Sequence, residues 1–219
     1  MKGLFSVFFA ASLLLLSACG PAQESLRSGD LIFVGLPFDY QSGDSMDSAI
    51  AAATGDGKLN LIHVAIVDVA PDSVYVIDAT MKRGTSRHSL QSFVSDFRLR
   101  SGDYPVFLVK RLTVEAPDAV AHARALCGQP YDSLFAPGNG AQYCSELVRD
   151  SYLSPEGAYL FEESPMNWKD ADGNYPDYWV RLFGRMGVDI PQGVPGTNPQ
   201  EMAQSPLLVP VEVNILESL

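Results

Sequence analysis

The stretch Leu61-Ile62-His63-Val64-Ala65-Ile66-Val67-Asp68-Val69, followed by Ala70-Pro71-Asp72-Ser73 and then Val74-Tyr75-Val76-Ile77-Asp78-Ala79-Thr80, carries the fold. Both flanking runs are rich in β-branched residues, which suit a pleated surface, and the four residues between them are turn formers. They read as a β-hairpin. Each strand holds one residue that its apolar neighbours make costly, His63 in the first and Asp78 in the second. A two-residue turn at Ala70-Pro71, or a four-residue loop over Val69 to Asp72, pairs residues whose numbers sum to 141. His63 then lies directly opposite Asp78 on one face, with Cβ atoms about 4.5–5.5 Å apart. A three-residue loop shifts that sum to 142 and sends the two side chains to opposite faces. In the first register the carboxylate orients the imidazole and stabilises its cation, so a single contact accounts for both residues.

Working outward, Gly29-Asp30 turns into a first buried strand at Leu31-Ile32-Phe33-Val34, and Pro105 to Leu112 is another apolar strand. Short helices are predicted over Ser45–Thr54, closed by Gly55, and over Ser89–Phe97. Another is predicted over Pro117–Cys127, with Pro117 in a first turn that tolerates it and Gly128 after it. A further helix runs from Cys144 to about Leu153. A last one begins at Asn198-Pro199-Gln200-Glu201, a cap, a first-turn Pro and a third-position Glu. The class is α+β, with a mainly antiparallel sheet packed against helices. Trp168 and Trp179 read as core or loop anchors.

The chain has 219 residues, 47% of them hydrophobic, which fits one globular domain and excludes wholesale disorder. Fifteen Lys and Arg against 26 Asp and Glu give a net charge of −11, which repels phosphate backbones and argues against nucleic acid as a partner. Three cysteines are too few for a disulfide scaffold. No His/Cys/Asp cluster shows metal-ligand spacing, so neither a metal nor an organic cofactor is expected.

Two cysteines lie in the body. Cys127 falls on the apolar stripe of the Pro117–Cys127 helix with Val120 and Ala123, where a thiol behaves as a small hydrophobe. Cys144 follows the loop-forming Gly138-Asn139-Gly140 and opens a helix with Ser145-Glu146-Leu147-Val148. A thiol at a helix N-terminus feels the positive end of the dipole, and free N–H groups there can receive an oxyanion. The same residue also suits a buried position on the Leu147/Val148 stripe, or a disulfide with Cys127. A thiolate nucleophile needs a base, and three histidines are available. His122 sits among alanines on a helix and reads as solvated. His88 belongs to a basic polar loop, Lys82-Arg83-Gly84-Thr85-Ser86-Arg87-His88. His63 is the strand residue partnered by Asp78. Tyr131 and Asp132 enter the segment before Cys144, where they either line a cleft or, for Tyr131, anchor the loop by packing.

These blocks resemble the circularly permuted NlpC-type cysteine peptidases, and more narrowly the YiiX/YebB-like branch of papain-like amidases. The matching segments are Gly29-Asp30-Leu31-Ile32-Phe33, His63-Val64-Ala65-Ile66-Val67, Val76-Ile77-Asp78-Ala79, Gly128-Gln129-Pro130-Tyr131-Asp132 and Tyr143-Cys144-Ser145-Glu146-Leu147-Val148. With Gly196-Thr197-Asn198-Pro199 they span most of residues 29–205. The resemblance implies a papain-like fold with Cys144 as nucleophile, His63 as base and Asp78 as third polar residue; Tyr131, Asp132 and Tyr143 are expected to bind the substrate. Asp78 departs from the Glu usual in that branch, and its shorter side chain leaves the orientation of His63 open. The implied function is hydrolysis of an amide, in cell-wall peptides or related peptide and amino-acid amides, through a thioester. A thiol-dependent lipid or acyl hydrolase or acyltransferase is the alternative enzyme, and a binding lipoprotein without turnover the alternative outside catalysis.

The N-terminus reads as an address. Met1-Lys2, an apolar run from Leu4 to Leu16 and then Ser17-Ala18-Cys19-Gly20 describe a signal peptide over residues 1–18, too short to span a bilayer as a mature helix. Leu16-Ser17-Ala18-Cys19 resembles the bacterial lipobox, which implies lipidation of Cys19. Gly20 after that Cys resembles the pattern sent to the outer membrane. Residues 19–28 are then a lipidated tether, and 29–219 the single hydrolase domain.

Overall fold

β1 (Leu31–Pro37) and β2 (Leu59–Val69) form the centre of the molecule, buried from Leu31 to Leu36 and from Leu61 to Asp68. Such unbroken burial belongs to strands covered on both faces. The computed structural model describes residues 24–37, 40, 43, 45–55 and 58–219. The expected signal peptide and Cys19 lie outside these residues.

β1 and β2 sit within a six-stranded antiparallel sheet completed by β3 (Val74–Thr80), β4 (Gly84–Ser89), β5 (Val106–Leu112) and β8 (Leu208–Val211), in the order β4-β3-β2-β1-β5-β8. A separate pair, β6 (Ser164–Pro165) and β7 (Pro195–Gly196), closes a long loop. Alternating residues of β1 and β2 feed two cores. Phe33, Val64 and Ile66 pack with α3 (Ala119–Leu126), α4 (Cys144–Ser151) and α6 (Pro199–Ala203). Ile32, Val34, Ala65 and Val67 pack with Phe93 of α2 (Leu90–Asp96) on the other face. A third apolar cluster, around Trp168, Trp179 and Phe183, joins α1 (Met46–Thr54) to α5 (Asp177–Met186). The architecture is the α+β class that the sequence predicts.

Most predicted elements stand within two residues of their expected bounds, and the caps explain why. Ser45, Ser89 and Asn198 each accept a first-turn N–H through the side chain, which fixes the starts of α1, α2 and α6. The differences are instructive. α3 starts at Ala119, with Asp118 as its N-cap, so Pro117 precedes the helix instead of opening it. The segment from Gly84 is an edge strand, not a polar loop: Gly84 turns the chain at φ +67°, and Thr85, Ser86, Arg87 and His88 then alternate between the faces beside β3. Its polar composition suits an edge. α5 has no counterpart in the sequence reading, although Pro176 ahead of it and the left-handed Gly187 behind it are ordinary helix punctuation. Residues 24–28, expected to be part of a free tether, are held to the sheet: Glu24 pairs with Arg111 and Leu26 packs on the second core.

The hairpin register also differs from the expected one. Val69 pairs with Val74, Val67 with Val76 and Ile66 with Ile77, two residues on from the predicted register. The loop is Ala70–Ser73, closed by the Ala70 N–H donating to the Ser73 carbonyl at 2.9 Å. Val69 and Val74 carry the ladder further than expected, and Pro71, with no N–H to donate, stays in the turn. A shift of two preserves the face of every side chain. His63 and Asp78 are diagonal neighbours on one face in place of directly opposed ones.

Asp68, fully buried on β2, accepts from Arg87 of β4 at 2.6 Å and from Arg124 of α3 at 2.9 and 2.6 Å. Burial opposes the Asp68 charge, but the two guanidiniums outweigh that cost and hold its pKa below the ordinary value. Removing the carboxylate strands two cations that hold the sheet edge to a helix. Asp68→Ala is therefore expected to destabilise the protein by about 2–3 kcal/mol, measured by urea denaturation. Val69→Ala at the hairpin end should cost less.

Candidate active site

α4 begins at Cys144 because Gly138 and Gly140, both at positive φ, turn the preceding loop and Glu146 satisfies the helix start. The Glu146 carboxyl accepts the Tyr143 N–H at 3.4 Å. Burial, with Asp132 and Asp150 nearby, lifts the Glu146 pKa to about 8, so it holds a proton at neutral pH. Cys144 is buried and unpaired, as is the half-buried thiol of Cys127, so no disulfide joins them. Cys127 packs against the first core at the end of α3, where burial pushes its pKa up.

Between β1 and β2 the register slips at Val34/Gly35, opposite Leu61 to His63. Such a bulge re-aims a side chain. Ile62 and His63 both meet the α2 face, where the imidazole lies 4.8 Å from the Phe97 ring, centroid to centroid. His63 Nε2 is 2.9 Å from Asp78 Oδ2. Cys144 lines the same cavity and stands close enough to act on the charge of this ring, whose Nδ1 is the nitrogen that Asp78 leaves free. Burial alone would lower the imidazole pKa, but Cys144 and Asp78 together outweigh it and raise the value to about 10. The aspartate reaches His63 directly, so its shorter side chain leaves no gap.

The sequence reading missed a second imidazole. His88 Nε2 lies 2.8 Å from Asp78 Oδ1, so one buried carboxylate is held by two rings. His88 Nδ1 is buried with no partner among the described residues, which fits a ring donating through Nε2–H and leaving Nδ1 a bare lone pair. The alternation of Ser86 and His88 after a turn glycine was the available signal. Burial raises the Asp78 pKa and the two imidazoles lower it more, to about 2. His122, expected to be solvated, is half-buried, with Nδ1 3.1 Å from the Ser151 carbonyl of α4.

His63 and Cys144 face a cavity of about 280 Å³. Its wall is mainly apolar, with Met46 and Ile50 from α1, Met81 and Phe97 from the sheet side, and Met166 and Trp168 from the long loop. Tyr131 and Tyr143 line it as well. The Tyr143 hydroxyl accepts the Thr197 N–H at 3.0 Å, and burial pushes its pKa to about 12. That contact needs Gly196, where an added Cβ would sit 2.3 Å from Met166 Sδ and 2.9 Å from the Tyr143 oxygen. Tyr131 donates to Met46 Sδ at 3.7 Å and meets Phe135 edge-on, so it both lines the cavity and anchors its loop. Phe135 takes a left-handed φ of 51°, local strain that its packing on Tyr143, Trp168 and Trp179 sustains. Asp132, expected at the substrate, is not among the lining residues. Its two oxygens accept the N–H groups of Leu134 and Ala136 and shape the loop.

An antiparallel sheet carrying the histidine, faced by a helix whose first residue is the cysteine, is the layout of a papain-like hydrolase with its order permuted. A family model described as "Permuted papain-like amidase enzyme, YaeF/YiiX, C92 family" matches residues 25–211, and the chain belongs to that family. It is 27% identical over 191 residues to "Uncharacterized protein YiiX" of Escherichia coli strain K12, covering 84% of this chain and 85% of that one. A solved structure, "Crystal structure of metalloprotein yiiX from Escherichia coli O157:H7, DUF1105", superposes with a TM-score of 0.65 at 23% identity, over 86% of this chain and 97% of that one. That likeness concerns the fold. Here the donors do not fit a metal centre: both histidine Nε2 atoms turn to Asp78, and no group of three or more His, Cys, Asp and Glu among the described residues could hold an ion.

The two shifted groups predict opposite pH limbs. Asp78 stabilises the fold fully above its unfolded pKa of about 4, and this is lost as pH falls toward 2. His63 stabilises fully below about 6.5, and its share is lost as pH rises through 10. Thermal denaturation should therefore show the wild-type advantage over Asp78→Asn narrowing below about pH 3, and that over His63→Ala narrowing above about pH 9.

Proposed function

We propose that the protein is a cysteine amidase in which Cys144 is the nucleophile, His63 the general base and acid, and Asp78 the group that orients His63. One observation carries this: His63 is hydrogen-bonded to Asp78 through Nε2 and faces the same cavity as Cys144, which stands at the start of a helix and acts on the charge of the imidazole. An imidazole whose pKa is raised to about 10 is an imidazolium at neutral pH, the partner a thiolate requires. The Cys144 sulfur attacks the amide carbonyl, and the N–H groups of the first turn of α4 receive the developing oxyanion. His63 gives its Nδ1 proton to the leaving amine as the C–N bond breaks, which leaves a thioester. Water then attacks the thioester, His63 takes a proton from it, and the carboxylic acid and thiol are released.

The substrate in this reading is a peptide or amino-acid amide, with cell-wall peptides as the first class to test. The apolar wall of Met46, Met81, Met166 and Trp168 favours a second reading, a thiol-dependent hydrolase or transferase of lipid acyl groups. Incubation with peptidoglycan fragments and with phospholipids, followed by mass spectrometry, separates the two. The proposed setting is the cell envelope, with Cys19 lipidated at the outer membrane; Leu16-Ser17-Ala18-Cys19 supports it.

On the substrate so found, Cys144→Ala and His63→Ala should each lose about 10³-fold or more in turnover, and nearly equally, because the pair acts as a unit. Asp78→Asn should lose less: its amide can still accept from His63 and donate to a re-tautomerised His88. Without any substrate, iodoacetamide should alkylate Cys144 far faster than Cys127 at pH 7. In His63→Ala the Cys144 rate at pH 7 should fall sharply toward that of Cys127. Equal labelling of the two cysteines in the wild type would return the chain to a binding role. Cys19→Ala should move the protein from the membrane to the soluble fraction or leave it unprocessed, and unchanged fractionation would remove the anchor.

A further inference from the structure

The cavity wall holds one carboxylate that the reaction does not use. Asp47, in the first turn of α1, lines the cavity and is half-buried. It makes no hydrogen bond or close ion pair among the described residues, unlike Asp78, Asp68 and Asp132, whose oxygens all have donors. The attractive charge it feels is that of His63, and burial is the dominant influence on it, raising its pKa. No Lys or Arg is found among the described residues that line the cavity. His63 is the wall's basic group, and it already faces both Asp78 and Cys144.

We infer that Asp47 is a recognition site for a primary ammonium group, so that the cavity takes an amide whose acyl part carries a free amine beside an apolar side chain. A half-buried carboxylate with no protein donor gains from a partner that brings both charge and N–H groups. Met46 and Ile50 stand on the same helix as Asp47 and turn apolar surface to the cavity, so α1 presents the charge and the apolar contact together. A carboxylate on the substrate at this place meets Asp47, and the one basic group of the described wall, His63, is already engaged by Asp78. The chemistry selects an amino acid or peptide amide with a free amine and disfavours one with an acidic group there. The inference rests on the cysteine amidase reading and adds the substrate class to it.

Chloromethyl ketones of phenylalanine test it on the purified full chain, since they alkylate Cys144 without requiring turnover. Three probes are compared at pH 6, where the α-amine is protonated: the free amine, its N-acetyl form and its N-succinyl form. Each Cys144 rate is read by peptide mass spectrometry and divided by the same protein's iodoacetamide rate. The free amine should react at least about ten-fold faster than the N-acetyl form, the size of one charge-assisted contact, and the N-succinyl form slowest. Asp47→Asn should bring all three together, and Asp47→Glu should restore the order. Equal rates in the wild type, failure of all three ketones while iodoacetamide reacts, or a preference that survives Asp47→Asn would each overturn the inference. Failure of the underlying reading looks different: Cys144 would then react with iodoacetamide no faster than Cys127.

Discussion

Asp78 lies between two imidazoles, with one carboxylate oxygen 2.9 Å from His63 and the other 2.8 Å from His88. An unpaired carboxylate at that depth would be costly, and an unpaired imidazole beside Phe93 and Phe97 nearly as much. Together they satisfy one another across three adjacent strands, β2, β3 and β4. The contact therefore links the edge of the sheet to the residue that faces Cys144. Its strength depends on burial, because the low dielectric that penalises each charge also magnifies their attraction.

The cavity extends the same logic outward. Three elements from distant parts of the chain, α1, the start of α4 and the loop carrying Trp168, meet over the sheet and wall the cavity that His63 and Cys144 face. Their packing runs through aromatic edges, with Trp168 and Trp179 at 4.7 Å and Phe135 against both. A mainly apolar wall around His63 and Cys144 fits the proposed reaction, in which a cysteine meets a neutral amide. It also makes the carboxylate of Asp47 conspicuous, because no donor among the described residues reaches it and the charge that attracts it is that of His63.

Ion pairs set away from the site hold the sheet and helices that carry this arrangement. Asp68 with Arg87 and Arg124 ties β4 to α3, and Arg111 with Asp30 and Glu24 ties the chain's first described residues to β5. Both networks set a buried aspartate, Asp68 or Asp30, against guanidiniums that keep some solvent contact, so neither aspartate is an isolated charge. α4 is the exception in polarity. Its first turn carries Cys144, Ser145 and Glu146, all buried, and the Ser145 hydroxyl has no partner among the described residues.

Much of this was legible in the sequence because it is local. The β-branched runs gave the central strands, Ser45, Ser89 and Asn198 gave helix starts through their own side chains, and the glycines before Cys144 gave the turn into α4. Alternation gave the faces of His63 and Asp78, since a register error of two leaves every face unchanged. Tertiary structure alone decided how far the Val69–Val74 pair would carry the ladder, and thus that the two residues meet diagonally. It alone brought His88 to Asp78, because a polar edge strand has no apolar period to announce it. It also separated Tyr131 from its neighbour Asp132, one turned to the cavity and one into its own loop. A residue's face follows from the pleat of its own strand, whereas its partner is chosen by the packing of segments that the sequence holds far apart.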